Sequence, residues 1–229
     1  MQTRILIVDD EPNIVELLQY SLEKQGYETE IAREGIEAMR KINDYNYQLV
    51  LLDVMLPGMD GLEICKEVRK TSNLPIILVS ARTEELDRIL GLEFGADDYI
   101  TKPFSTKEVI ARVKAILRRG TDKTNDEAGK KNMSIRELEL NTEAHEIHLQ
   151  GYLLELTFTE YQIINLLMSV PGKVFSRDNL LNSIWGRDFL GDSRTIDVHI
   201  RHIREKIFTI VGGSEYISTV RGIGYRIKA

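Results

Sequence analysis

The sequence predicts two α/β modules in series: a doubly wound five-stranded parallel sheet, then a smaller α+β domain with a winged-helix layout. Three observations lead there. Short apolar runs alternate with amphipathic stretches up to residue 119, a 13-residue polar segment follows, and the pattern then changes to hairpins and three helices.

In the first module, Ile5–Val8, Leu49–Leu52 and Ile76–Val79 are short β-branched apolar runs of the kind buried on both faces of a parallel sheet. Glu28–Ala32 and Asp98–Thr101 complete five strands. Between them, Asn13–Gln25, Gly35–Asp44, Leu62–Lys70, Glu84–Phe94 and Thr106–Arg119 read as helices; in the last, Val109, Val113, Ile116 and Leu117 share one face. Five βα units imply an open parallel sheet covered on both sides. Residues 120–132 (GTDKTNDEAGKKN) hold no apolar side chain larger than alanine, so they are expected to form a flexible linker between a module over 1–119 and one over 133–229. In the second module Ile135–Leu140, Ala144–Leu149 and Gly151–Leu156 read as strands, the first two joined by an Asn-Thr-Glu turn. Helices are expected over Thr159–Ser169, Arg177–Trp185 and Arg194–Phe208, and a final hairpin joins Tyr216–Val220 to Tyr225–Lys228.

Charge separates the modules as well. The net charge of −6 conceals 16 Lys+Arg against 21 Asp+Glu in residues 1–119, and seven basic against three acidic residues in 194–229. An acidic front and a basic tail imply different partners. A single cysteine, Cys65, excludes an intrachain disulfide. The start, MQTRILIVDD, has no signal-peptide pattern, and no stretch approaches the ~20 apolar residues of a membrane span, so a cytoplasmic protein without membrane partners is expected.

In open parallel sheets, ligands bind at the carboxyl ends of strands. Polar groups end four of the five runs: Asp9 and Asp10 after the first, Asp53 after the third, Ser80 after the fourth and Lys102 after the fifth. Clustered carboxylates repel, and a hard divalent cation such as Mg²⁺ neutralises them in an oxygen-only site. A metal, a lysine and a hydroxyl around one carboxylate make a receptacle for a phosphoryl group, with that carboxylate as nucleophile.

With the stretches ILIVDDE, LVLLDVMLPGMDG, IILVSAR and GADDYITKPF, residues 1–119 resemble the receiver domain of bacterial two-component response regulators, which has a flavodoxin-like fold. The resemblance implies that Asp53 takes phosphate from a sensor histidine kinase. It also implies that Asp10 and Asp53 hold Mg²⁺, with Asp9 helping through water and Met55 through its carbonyl. Ser80 and Lys102 would bind the phosphoryl oxygens, Lys102-Pro103 would be a cis peptide, and Tyr99 would move into space that Ser80 vacates. By resemblance to the OmpR/PhoB type, the face of the fourth helix, fifth strand and fifth helix would form a two-fold homodimer on phosphorylation. Arg88 would pair with Glu108, Asp98 with Arg112 and Asp97 with Arg119, around Ile89 and Leu92.

Residues 134–228 resemble the winged-helix output domain of the same family through LTFTEYQIINLL, RDNLLNSIWG, SRTIDVHIRHIREKI and ISTVRGIGYRI. Ile196, Ile200, Ile203 and Ile207 make an inward stripe, leaving Arg194, Thr195, His199, Arg201, His202 and Arg204 to face the major groove of double-stranded DNA. Arg221, in the last hairpin, suits the minor groove or backbone. The resemblance makes Gly186–Asp192 the loop that touches RNA polymerase and Trp185 a core anchor. His202 departs from the pattern, since relatives often carry arginine there. On this reading the chain is a phosphoacceptor regulator and not an enzyme on small molecules. A phosphatase of the aspartate-nucleophile type and a receiver-like adaptor binding protein are the competing readings.

Overall fold

The computed structural model describes residues 3–82, 85–117, 132–186, 193–213 and 216–228, with the backbone alone described at 85, 86 and 88. The chain divides into two compact units, Met1–Leu117 and Arg118–Ala229.

In the first unit β1 (Arg4–Val8), β2 (Glu28–Ala32), β3 (Leu49–Asp53), β4 (Ile76–Ser80) and β5 (Asp98–Thr101) alternate with α1 (Pro12–Glu23), α2 (Gly35–Asp44), α3 (Gly61–Arg69), α4 (Glu85–Glu93) and α5 (Thr106–Leu117). The sheet order is β2-β1-β3-β4-β5, and every pairing is parallel. This is the doubly wound fold the alternation predicts. β3 and β4 are buried along their whole length, so Leu49–Leu52 and Ile76–Val79 give up all their apolar surface. Burial of one such side chain stabilises by roughly 1.5–3 kcal/mol, which is why these runs hold no polar residue until their carboxyl ends. The sheet reverses its winding between β1 and β3, so Asp9 and Asp53 emerge side by side at the switch point.

The second unit begins with a four-stranded antiparallel sheet of β6 (Asn132–Ile135), β7 (Leu138–Asn141), β8 (Glu146–Leu149) and β9 (Tyr152–Leu153), paired in that order. The expected single strand Ile135–Leu140 is two strands, because the chain turns at Arg136 (φ 56°) and pairs Ile135 with Leu138. The expected strand Gly151–Leu156 shortens to β9, and β6 starts at the last residue of the expected linker, whose other residues lie outside those described. Then come α6 (Phe158–Ser169), α7 (Arg177–Trp185) and α8 (Thr195–Val211). A three-stranded sheet in the order β10-β12-β11 closes the unit, built from β10 (Phe175–Ser176), β11 (Ile217–Val220) and β12 (Gly224–Ile227). β10, unforeseen in the sequence, pairs with the wing hairpin at Phe175–Tyr225 and Ser176–Gly224. Only glycine fits there: a Cβ on Gly224 would lie 2.0 Å from the Phe175 carbonyl oxygen. The inward stripe Ile196, Ile200, Ile203 and Ile207 joins Leu180, Trp185, Tyr225 and Ile227 in one apolar core.

Candidate functional site

The carboxyl ends of β1, β3 and β5 bring three acids and one lysine together. Lys102 Nζ lies 2.7 Å from Asp53 Oδ2, 2.9 Å from Asp9 Oδ2 and 2.8 Å from Glu11 Oε1. Asp9 and Asp53 are almost wholly buried, at 2% and 4% exposure, whereas Asp10 faces solvent. Local backbone fixes both buried carboxylates: Asp9 Oδ1 accepts from the Glu11 amide at 2.9 Å and Asp53 Oδ1 from the Met55 amide at 3.0 Å. Burial pushes the Asp9 carboxyl above its ordinary range, although Lys102 opposes the shift. Burial alone would lower the Lys102 ammonium, but its hydrogen bonds to Asp53, Glu11 and Asp9 hold it above the ordinary lysine value. Glu11, which the sequence reading did not single out, is thus a third counter-ion.

One oxygen from each of Asp9, Asp10 and Asp53 can be chosen so that all three lie within 4.8 Å of one another. The donors are all carboxylate oxygens, two of them on buried residues, so the set fits a hard divalent cation such as Mg²⁺. The Met55 side chain is exposed, and Lys102-Pro103 is a cis peptide.

Ser80 is fully buried at the end of β4, and its Oγ accepts from the Arg82 amide at 3.1 Å. The Tyr99 hydroxyl donates to the Arg82 carbonyl at 3.1 Å from a ring only 3% exposed. Arg82 backbone therefore links Ser80 to Tyr99. On α4, Gly91 makes room for the ring: a Cβ there would meet Leu78 Cδ1 at 2.7 Å and Tyr99 Cδ2 at 3.0 Å.

The α4-β5-α5 residues fall into two groups. Arg112 donates from Nη1 to both Asp98 oxygens, at 2.9 and 2.8 Å, and from Nη2 to Glu108 Oε1 at 2.7 Å, all within one chain. Asp97, expected on the outward face, is fully buried; its Oδ2 accepts from Arg69 Nη2 at 2.9 Å and from the Ile76 amide at 3.0 Å. Leu92, expected at the outward apolar centre, is 1% exposed and part of the core. Both expectations came from the resemblance and are corrected here, because Asp97, just before β5, turns inward to Arg69 and Leu92 on α4 packs into the core. Ile89 is half-buried and Leu90 exposed. The Arg88 side chain and Arg119 lie outside the described residues.

The basic tail is also sorted by burial. Arg194, Arg201 and Arg221 are exposed. Thr195 and His199, expected to face DNA, are 5% and 1% exposed, with the His199 ring 6.2 Å from that of Trp185. The buried face of α8 is thus wider than its isoleucine stripe. His202 is turned inward, with Nδ1 3.7 Å from Glu160 Oε1, and burial lowers its pKa below the ordinary histidine value. Glu160 is itself buried and accepts from the Thr157 amide at 2.9 Å and from Lys206 at 2.7 Å. Arg204 is half-buried against the wing, with Nη2 donating to the Ile217 carbonyl at 3.0 Å and to Thr219 Oγ1 at 2.8 Å. Arg177 and Asp197 join it around Tyr225; the periodicity of α8 carries no signal for such a cluster, because its members come from three elements. Residues 187–192 of the expected polymerase loop lie outside those described. No helix among the described residues is long and apolar enough to cross a membrane.

Comparison with known proteins agrees with this division. Residues 5–114 match the response regulator receiver domain family, and residues 151–227 match the family of C-terminal domains of transcriptional regulatory proteins. Among solved structures, a cysteine-to-serine mutant of RitR is 27% identical with a TM-score of 0.75, each chain being covered over 99% of its length. DrrB from Thermotoga maritima, described as an OmpR/PhoB homologue, is 29% identical over 100% of both chains with a TM-score of 0.53. A two-component response regulator from Clostridium difficile is 36% identical with a TM-score of 0.50, matching 52% of this chain and 98% of its own. A receiver unit joined to a transcription-regulator output unit, in that order, places the chain in the family of OmpR/PhoB-type two-component response regulators, which are DNA-binding regulators of transcription.

Proposed function

We propose that Asp53 is the phosphoacceptor through which a sensor histidine kinase controls binding of this chain to promoter DNA. The observation that carries the reading is the convergence of Lys102, Asp9 and Asp53 within 2.9 Å contacts beside buried Ser80. A carboxylate oxygen of Asp53 attacks phosphorus, a P–O bond forms, and the P–N bond of the kinase phosphohistidine breaks with its electron pair going to the imidazole nitrogen. Asp10 and Asp53 side chains, with Asp9 and the Met55 carbonyl, would hold Mg²⁺, which when bound offsets negative charge on the carboxylates and phosphoryl oxygens. Lys102 is already within ion-pair reach of Asp53 and needs only to exchange a carboxylate contact for a phosphoryl oxygen.

The new group adds roughly −1.5 to −2 charge. Ser80 turning toward it gives up its bond from the Arg82 amide, and Arg82 also holds the Tyr99 hydroxyl. The β4–α4 connection thereby couples the phosphorylation site to the α4-β5-α5 face, where Ile89, Leu90, Glu108 and the exposed edges of the Arg112 network form the proposed homodimer surface. In the second unit, exposed Arg194 and Arg201 on α8 serve the major groove, and Arg221 beyond β11 serves the minor groove or backbone. Residues 186–192 are the proposed contact with RNA polymerase, and the domains are assigned as 1–119, 120–132 and 133–229.

The test is incubation with Mg²⁺ and a small acyl phosphate, read by intact-protein mass and by genomic footprinting. Wild type gains one phosphoryl group and changes its occupancy; Asp53→Ala does neither. Identical occupancy in both refutes phosphorylation-controlled binding. For DNA contact, Arg221→Ala is expected to reduce the slope of log affinity against log salt by about 1.

A further inference from the structure

The residues around Tyr225 form a polar circuit that joins four elements of the output unit. Tyr225 Oη donates to Asp197 Oδ1 at 2.6 Å, and Arg177 reaches the same pair, Nε to Asp197 Oδ1 at 2.7 Å and Nη2 to Tyr225 Oη at 3.2 Å. Both guanidiniums also lie over the Tyr225 ring, Arg177 Cζ at 5.0 Å and Arg204 Cζ at 5.6 Å from its centroid. Arg204 continues the circuit to the other strand of the wing through the Ile217 carbonyl and Thr219 Oγ1. Asp197 and Arg204 stand on α8, Arg177 at the start of α7, Tyr225 on β12 and Thr219 on β11. The wing is therefore held to α8 by directional bonds as well as by its buried Ile217 and Ile227.

An acid in the first turn of a DNA-facing helix is unfavourable toward phosphate if it acts through charge alone. Asp197 instead spends its Oδ1 on two donors from outside α8. Arg204, which a face count along α8 assigns to DNA, directs its Nη2 at the wing backbone and at Thr219. The circuit has directional contacts at both strands of the hairpin, so it restrains both the tilt and the twist of the wing relative to α8. A minor-groove contact from Arg221 requires that restraint, because a wing free to swing must be ordered on binding.

We infer that Arg204, Asp197, Tyr225 and Arg177 are positioning residues that lock the wing to the recognition helix, so that Arg204 and Asp197 act on DNA affinity through Arg221 and not by reading DNA themselves. This rests on the proposed assignment of α8 and the wing to DNA.

The test uses the full chain and a duplex selected from a random-sequence pool by the wild-type protein. Hydrogen exchange in the absence of DNA comes first: Arg204→Ala and Tyr225→Phe are expected to speed exchange of wing amides at 219–223 by about 10-fold, while Arg201→Ala, on the same helix but exposed, leaves them unchanged. Tyr225→Phe keeps the buried ring, so its effect is not a folding defect. DNA affinity is then measured in a double-mutant cycle. Arg204→Ala alone is expected to weaken binding about 10-fold, but less than about 2-fold when Arg221 is already alanine. Asp197→Ala is expected to weaken specific binding, the opposite of what loss of a negative charge does by itself. Unchanged exchange with additive losses, or tighter binding by Asp197→Ala, overturns the lock. If Arg221→Ala leaves affinity unchanged, the DNA assignment of the wing fails, and the exchange measurement still judges the lock independently.

Discussion

Lys102 Nζ stands 2.7 Å from Asp53 Oδ2 and 2.9 Å from Asp9 Oδ2, so one ammonium neutralises two buried carboxylates. The deficit falls on Asp9, whose carboxyl burial drives above its ordinary value. A raised acid pKa means the folded state holds the proton more tightly than the unfolded chain. Asp9 therefore favours folding at low pH, and that contribution is lost as pH rises through the folded value.

At neutral pH with a chelator present, Asp9→Asn is expected to be more stable than wild type by about 1 kcal/mol, raising Tm by a few degrees. The difference should shrink as pH falls through the raised folded value of Asp9 toward the ordinary aspartate value, and when Mg²⁺ is added to wild type. Thermal unfolding followed by circular dichroism checks it; a variant less stable than wild type at neutral pH contradicts the assignment of strain to Asp9.

Gly61 opens α3 against the end of the strand that carries the acceptor: a Cβ there would lie 2.1 Å from the Asp53 carbonyl oxygen. Backbone cannot yield as a flexible side chain can. Gly61→Ala is expected to cost about 3 kcal/mol and to displace Asp53 from Lys102, slowing phosphorylation by a small acyl phosphate at least about 10-fold. Urea unfolding and the rate of mass gain measure the two effects; a variant unchanged in both excludes the tight approach.

Arg112 and Asp98 are 7% and 2% exposed and bonded through both carboxylate oxygens. Removal of one member strands a buried charge, so Arg112→Ala is expected to destabilise the receiver unit by about 3–5 kcal/mol. Glu108→Gln, whose carboxylate is 31% exposed, should cost under about 1 kcal/mol. Denaturation of the unphosphorylated chain tests this, and equal losses in the two variants would remove the distinction. A dimerisation assay on Arg112 variants needs that control.

His202 has its pKa lowered by burial, with Glu160 and Glu205 opposing and Arg201 and Lys206 reinforcing the shift. The unfolded chain then binds the proton more readily, so stability falls as pH drops from the ordinary histidine value toward the folded one. His202→Gln should flatten that dependence. Trp185 is the only tryptophan and sits in the same core, so its fluorescence follows unfolding of this unit selectively. Equal slopes in wild type and variant count against a buried neutral His202.

The first unit was readable from its sequence because three of its strands hold uninterrupted apolar runs, four of the five strands are followed or ended by a polar group, and parallel topology sends all those ends to one edge. Asp9, Asp53, Ser80 and Lys102 could be placed together on that ground alone. The α4-β5-α5 assignments were less legible: Asp97 and Asp98 are neighbours, yet Asp97 turns to Arg69 on α3 and Asp98 to Arg112 on α5. Asp97 stands just before β5 and Asp98 opens it, and their order in the chain does not say which element will supply each charge with its partner.

In the second unit the isoleucine period marked the core side of α8, but the width of the buried face depends on what packs against it. Thr195 and His199 are buried in the folded unit, and Trp185 stands near His199, none of which a helical wheel can know.

The sequence by itself determined the element order, the parallel sheet with its acidic crevice, and the change to a basic winged unit, because those follow from local periodicity and strand-end chemistry. Only the tertiary structure decided which charges are spent inside the molecule. Arg204 goes to the wing, His202 to Glu160, Asp97 to Arg69 and Glu11 to Lys102. A charge takes the partner that folding brings within about 3–4 Å, and that neighbour lies far away in the chain.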